Sequence, residues 1–281
     1  MGCLKALVIA GFTSLAAIAP AAAADLLLPP PPPVEPGYVP VEFSSGFYLR
    51  GDIGEGNPQL RNAEQVIGNT VNFPNGVPSL IQDGAYTDAQ VIFGLGAGYQ
   101  FNNYFRADVT GEYRSGGYHA TESAGGCNGL PAGCADQYGA AFHSTVLLLN
   151  GYVDLGTWYN VTPYIGAGVG TSINNFGGII DYNLSYYGES SGYAPNKTST
   201  ELAYALMTGF SYSLTPNIKL DFGYRYLDMG RIASNSIVCN SLPCPLESQH
   251  YHLSANDIRL GLRYVFAEPV PQRAFPIVEK Y

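Results

Sequence analysis

Residues 256–266 read NDIRLGLRYVF, and every second residue, Ile258, Leu260, Leu262, Tyr264 and Phe266, is large and apolar. The positions between them include Asp257, Arg259, Gly261 and Arg263. Strict alternation of this kind makes a β-strand with two unlike faces. In a soluble sandwich the apolar face turns inward. In an outer-membrane barrel it turns out to lipid and the arginines turn into a polar lumen. The rest of the chain decides between these two.

The first 24 residues set the compartment. Lys5 precedes an apolar run over residues 6–19, and Ala21 to Ala24 come before Asp25. This is the pattern of a secretory signal peptide cut after Ala24. The alternative, a transmembrane anchor, is opposed by the short apolar run and the lack of stop-transfer charges. Cys3 leaves with the signal. The whole chain carries a formal charge of −9, and cleavage removes one cation, Lys5, leaving −10, a balance that excludes nucleic acid as a partner. Charged residues are only 12%, mean hydropathy is +0.02, and no later apolar run is long enough for a spanning helix. An alternating barrel remains compatible with such an average, because its polar face cancels its apolar one.

Residues 25–45 contain five consecutive prolines, Pro29 to Pro33, and cannot join a sheet. They read as an extended periplasmic leader, either a spacer or a docking ligand. The first strand follows at 46–54, with Phe47, Leu49 and Ile53 on one face and Tyr48, Arg50 and Asp52 on the other. Residues 55–85, rich in Asn, Gly and Pro, read as a long loop. Strand two, within 86–101, puts Val91, Phe93, Leu95, Ala97 and Tyr99 opposite Gly94, Gly96 and Gly98. The glycine spacing does not fit a dinucleotide-binding turn, and no helix follows. The glycines instead leave lumen space for large side chains of facing strands. After a turn at Asn102-Asn103, residues 104–114 alternate Phe105, Ala107, Val109 and Tyr113 with Arg106, Asp108, Thr110, Glu112 and Arg114. Buried charges are costly unless paired, so this row implies a wet or ion-paired interior.

The pattern continues with a loop at 115–139, a fourth strand to Leu155 in which Val146 and Leu148 break the alternation, and a turn carrying Trp158 and Tyr159, residues suited to an aromatic girdle. A fifth strand spans 161–173 and a sixth 200–214, with loop 174–199 between them. Thr215-Pro216-Asn217 turns into a seventh strand that alternates Lys219, Asp221 and Arg225 with apolar residues, and loop 230–255 leads to the last. Short turns thus alternate with long loops along about eight strands. The fold expected is all-β: an eight-stranded antiparallel transmembrane β-barrel, with short periplasmic turns and four long extracellular loops. Closure removes edge strands and satisfies the backbone in lipid. Arg50, Asp52, Arg106, Asp108, Glu112, Arg114, Asp154, Lys219, Asp221, Arg225, Arg259 and Arg263 all fall on the lumen face. They are expected to form a cross-linked charge network filling a narrow barrel.

The segments GFYLRGDIG at 46–54, LTPNIKLDFGYRY at 214–226 and NDIRLGLRYVF at 256–266 resemble the small outer-membrane surface proteins of alphaproteobacteria, within the porin-like (opacity-protein-like) β-barrel superfamily. The resemblance covers residues 46–266. It implies an eight-stranded barrel inserted by the outer-membrane assembly machinery, which reads a terminal strand ending in an aromatic residue. Leu262, Tyr264 and Phe266 fit that signal. The chain departs from the pattern by adding residues 267–281, a proline-containing stretch expected to be a periplasmic tail.

Other candidate chemistry is sparse. Cys127, Cys134, Cys239 and Cys244 lie in predicted loops of an exported protein and are expected to form disulfides, the local pairs being preferred over the two other pairings. Their spacing does not match zinc patterns. His250 and His252 share a face but lack further ligands, so no metal or other cofactor is expected. His143 and Ser144 are sequence neighbours on a strand, point to opposite faces and cannot form a nucleophile–base pair. No enzyme is expected. Predicted loop acids, Glu55, Glu64, Asp83, Glu122, Asp136, Asp181, Glu189 and Glu247, outnumber Arg61, Lys197 and Arg231. They either bind divalent cations that bridge lipopolysaccharide or form an ordinary solvated surface. The function expected is structural: an outer-membrane surface protein supporting envelope integrity, in contact with lipid and lipopolysaccharide. The rivals are a narrow non-specific pore and a loop-mediated adhesin. The sequence leaves the oligomeric state open.

Overall fold

Alternating apolar positions need a backbone ladder to hold them, and the computed structural model supplies it over residues 45–67, 80–124, 134–183, 191–239 and 247–266, the residues described. Twelve strands appear: β1 Gly46–Ile67, β2 Leu80–Thr87, β3 Gln90–Gln100, β4 Phe105–Ala124, β5 Cys134–Asp154, β6 Val161–Phe176, β7 Ile179–Asn183, β8 Ser191–Ala194, β9 Lys197–Ser213, β10 Ile218–Ala233, β11 Val238–Cys239 and β12 Glu247–Val265. Eight of them close a ring in the order β1, β3, β4, β5, β6, β9, β10, β12 and back to β1, every pair antiparallel. The closing seam pairs Leu49 with Tyr264 and Ile53 with Leu260. At its end the Phe266 N–H donates to the Phe47 carbonyl at 2.8 Å. β2, β7, β8 and β11 add short ladders beside the ring.

The three short turns gather at one end, each with its own chemistry. Asn102 Oδ1 accepts from the backbone N–H groups of Tyr104 and Phe105, closing the β3–β4 turn. Tyr159 and Asn160 adopt φ +49° and +67° between the paired Trp158 and Val161. Two successive positive φ values give the primed turn whose twist matches its strands. Thr215 Oγ1 accepts from the Ile218 N–H at the β9–β10 turn.

The four long connections leave from the other end, and here the structure redraws the sequence boundaries. Residues 55–67 are strand, not loop: β1 pairs with β12 as far as Ile67 opposite Glu247. β4 and β5 stay paired to Ala124 opposite Cys134. Parts of 174–199 and 230–255 are likewise strand. The physical reason lies in the outward row of β1. Beyond Ile53 it reads Glu55, Asn57, Gln59 and Arg61, so the apolar alternation ends while the backbone ladder continues.

The outer face is apolar around the ring. Phe47, Leu95, Leu202 and Ile258 are 70–74% exposed, and Phe93, Val109, Leu149, Leu206 and Leu262 are exposed as well. On β3 this belt runs from Val91 to Phe101. A strand rising about 3.3 Å per residue at about 45° makes it roughly 24 Å tall, the height of a membrane band. Aromatics mark both edges: Phe101, Tyr104, Trp158 and Tyr159 at the short-turn end, Tyr86, Tyr113, Tyr204 and Tyr224 at the other.

Candidate functional site: an ion-paired interior

The inward rows bring buried charges together at the waist of the barrel. Arg225 is the centre of the upper group. Its Nη2 lies 2.6 Å from both Glu112 Oε1 and Asp257 Oδ2. Arg114 meets the same two carboxylates, Asp257 at 2.6 Å and Glu112 at 3.3 Å. Arg259 bridges downward, 3.4 Å from Glu112 and 3.4 Å from Asp52. Asp52 pairs with Arg50 at 2.6 Å, and Arg50 reaches Asp108 at 3.1 Å and the Tyr152 hydroxyl at 2.9 Å. Towards the short turns, Arg106 pairs with Asp154 and Arg263 with Asp221, both at 3.1 Å.

Seven cationic side chains, Lys219 among them, meet six carboxylates in this region, so the cluster is close to neutral. Tyrosines absorb the remaining mismatch. Arg106 has two guanidinium nitrogens without a hydrogen-bond acceptor, but its plane lies 4.0 Å from the Tyr152 ring centre and 4.7 Å from that of Tyr164. Such cation–π contacts are strongest where water is excluded. Tyr48 donates to Asp108 at 3.0 Å and lies under Arg263 at 5.4 Å.

All twelve charged positions expected on the lumen face lie inside and are buried. Sequence reading missed Asp257 as a member, although it stands in phase with Arg259 and Arg263 on β12. Tyr48 and Tyr152 fall on the inward rows in the sequence but were not counted in the network, and Tyr164 was missed, because a tyrosine's role toward a cation shows only once the cation is placed on its face. The glycine rows make room for side chains of neighbouring strands rather than facing ones. Gly98 is paired with Tyr48 and Gly166 with Tyr152, and a methyl group at Gly98 would run into the Tyr48 ring.

Above the charges the interior changes character. Tyr118, Phe142, Val146, Leu148, Phe176, Leu227, Met229, Tyr251 and Leu253 form one buried apolar cluster beneath the long connections. The two residues that broke the alternation of β5, Val146 and Leu148, point into it. The interior therefore has two storeys, ion-paired below and apolar above. A void among the charges, lined by Arg50, Asp52, Arg225 and Arg259, measures about 20 Å³, room for about one water molecule.

The other candidates are placed as follows. Ser144 is buried and donates to Asn174 Oδ1, while His143 faces outward with its Nδ1 3.1 Å from Ser115 Oγ. His250 and His252 both lie on the outer side of β12, and His252 Nε2 is 2.7 Å from Asp228 Oδ2. Among the described residues no cluster of three or more His, Cys, Asp or Glu side chains is arranged for a metal. Cys127 and Cys244 lie outside the described residues. Cys134 and Cys239 are described only as backbone in β5 and β11, so the disulfides remain an expectation. The signal peptide, leader and tail also lie outside the described residues.

A family model described as outer membrane protein beta-barrel domain matches residues 10–266. An uncharacterized protein of Brucella suis biovar 1 is 32% identical over 247 residues, 80% of this chain and 81% of that protein. A Rickettsia rickettsii protein, provisionally named an adhesin, is 27% identical over 172 residues, 60% of this chain and 72% of its own. Among solved structures, Neisserial surface protein A aligns over 79% of this chain and 99% of its own at 18% identity, with a TM-score of 0.44.

Proposed function

The chain belongs to the outer membrane protein β-barrel domain family, and on that premise we propose that it is a closed structural barrel of the Gram-negative outer membrane, one that supports the envelope without conducting through it. The observation that carries this reading is the filled interior. Six arginines in the waist are held by carboxylates, and an apolar cluster lies across the way out. Eight strands enclose a space that side chains just fill. A hydrated ion passing through would have to break buried ion pairs and then cross an apolar layer. Envelope lipid and lipopolysaccharide are the partners of such a barrel, met through its outer wall and its long connections. The network, the terminal aromatic strand and the disulfides have structural roles in this reading. The test is planar-bilayer recording of the refolded full-length protein. A silent bilayer is expected; steady channels at physiological salt would overturn the structural reading in favour of a narrow pore.

One observation favours a recognition role alongside the structural one. The ladders of β1 with β12 and of β4 with β5 continue past the apolar belt and carry paired strands toward the long connections. The Rickettsia relative's provisional name points in the same direction. Binding of the purified barrel to intact host-type cells, compared with a variant whose connection 125–133 is shortened, tests this role. Equal binding would remove that connection from it.

A further inference from the structure

Above the apolar belt β9 and β10 part, which leaves a gap in the wall between Lys197 and Glu201 on the lumen row of β9 and Arg231 on the outward row of β10. Their ladder ends at Asp228 opposite Tyr204, and a bulge between Asp228 and Arg231 follows, with Gly230 at φ +77°. The gap forms a pocket of about 310 Å³, whose walls include Lys197, Glu201, Arg231, His250, His252 and Asn62. Its height follows from β12. The outward row is apolar up to Ile258 and then polar: Asn256, Ser254, His252, His250. His252 stands four residues beyond Asn256, about 9 Å further along the barrel axis for a tilted strand. That is the headgroup layer, not the hydrocarbon.

The charges of this pocket differ in kind from those of the interior. Each interior arginine of the waist lies within ion-pair distance of a carboxylate. Among the described residues, neither Arg231 nor Lys197 forms an ion pair. Among the described residues Lys197 Nζ donates to the Ser234 carbonyl alone, at 3.1 Å, which holds the ammonium at the pocket wall. The neighbouring Asp228 forms no ion pair with either of them, and its oxygens are turned to other donors. Tyr204 Oη lies 3.1 Å from it, His252 Nε2 2.7 Å, and the Gly230 N–H donates to it at 3.0 Å. Glu201 is the one carboxylate among the described lining residues.

We propose that this pocket binds a phosphorylated sugar, its phosphate held by Arg231 and Lys197 and its hydroxyls by Glu201 and Asn62. The source is a phosphosugar headgroup of the outer leaflet. A planar guanidinium offers two parallel donors to a phosphate, and an ammonium adds a point charge. A carboxylate would repel a bare anion, but beside a phosphate it is a good acceptor for sugar hydroxyls. The volume lies at the lower end of the range for small-ligand sites. This proposal rests on the envelope reading, which turns the long connections to the outside. It also differs from the sequence expectation of an acidic outer surface working through divalent cations, because the direct contacts here are cationic.

The test uses full-length barrel in dodecylmaltoside and titration calorimetry with three probes: bisphosphorylated lipid A, lipid A stripped of its phosphates, and free glucosamine 1-phosphate. Lipid A is expected to bind wild type at least tenfold more tightly than it binds the Arg231→Gln/Lys197→Gln variant. The stripped lipid should lose a similar factor on wild type, and glucosamine 1-phosphate should bind more weakly than lipid A. Equal lipid A binding by wild type and variant, or equal binding of stripped and intact lipid A, would overturn the site. Free glucosamine 1-phosphate binding as tightly as lipid A would overturn the headgroup source. Each sample is also run boiled and unboiled on a gel. A retained mobility shift with lost discrimination sinks this site alone, whereas a wild type with no shift sinks the barrel reading beneath it.

Discussion

Asp257 is the residue on which most of the interior converges. Its two oxygens receive Arg114 Nη1 and Nη2 at 2.8 and 2.6 Å, and also Arg225 Nε and Nη2 at 2.9 and 2.6 Å. It is fully buried, so water cannot replace it. Asp257→Asn keeps the shape and removes the charge, leaving Arg114 and Arg225 to share Glu112. Breaking a buried pair on one side costs about 3–5 kcal/mol, because the surviving charge stays desolvated. Asp154 pairs with Arg106, whose guanidinium also lies between two tyrosine rings. Asp154→Asn is therefore expected to destabilise less. Urea unfolding of both variants in lipid vesicles, followed by the fluorescence of Trp158, the only tryptophan, checks the order. Equal midpoints would mean that the tyrosine faces contribute nothing. Gly98 makes the complementary case for space. Gly98→Val sets a branched side chain against Tyr48 and the Ala107 carbonyl, and overpacking of this kind costs about 1–3 kcal/mol. The same unfolding assay reads it, and a wild-type midpoint would show that Tyr48 can move aside.

Each strand of the ring sorts its side chains by parity, and a charge placed on the outward row tests that sorting. Leu95, in the middle of β3, is 74% exposed, and Leu95→Lys would set an ammonium near the bilayer midplane at a cost of about 2–4 kcal/mol. Phe101→Lys, at the belt's edge, should cost about 0–1 kcal/mol because the ammonium can reach the interface. The difference is measured by unfolding in vesicles; in a soluble barrel neither change would matter, and the difference would vanish. The terminal strand carries a second element-level expectation. Phe266 is the last residue in the closing ladder, so Phe266→Asp is expected to lower the amount of heat-shifted barrel recovered from cells, and an unchanged yield would show that assembly reads another signal. Parity also explains what the sequence made legible. Inside the belt, lipid and lumen impose opposite chemistry, and alternation names the face of Leu95, Arg106 or Arg263 directly. Past the belt the outward row of β1 turns polar while its inward row, Gly56, Pro58 and Leu60, faces the upper apolar cluster, so the rule that names the faces inside the belt no longer holds and the ladder from Glu55 to Ile67 read as loop. Val146 and Leu148 broke the pattern for a third reason: the lumen itself is apolar at their height, and nothing in a single strand reveals that. The pairing within the charge network was hidden as well, since Arg225 meets Glu112 across 113 residues of chain.

The whole molecule closes its interior twice, and the two closures are built from different physics. The lower one is electrostatic, a near-neutral set of ion pairs in the waist. The upper one is a buried apolar cluster that includes Phe142, Leu148, Leu227 and Leu253. Barriers in series do not substitute for one another: an ion that clears the lower layer still faces the desolvation cost of the upper. Arg106→Ala/Arg225→Ala empties guanidinium volume from the waist and leaves the apolar storey in place. It is therefore expected to stay silent in a planar bilayer while unfolding at lower urea than wild type. Phe142→Ala/Leu148→Ala alone should also stay silent, because the arginine layer still spans the waist. Only the combination of all four is expected to give steady current. A double variant in the waist that conducts by itself would show that the apolar cluster parts readily, and that the barrel is a pore held shut by its charges. A silent fourfold variant that still shows the heat-dependent gel shift would mean that neighbouring side chains collapse into the vacated space, as small barrels with flexible interiors allow.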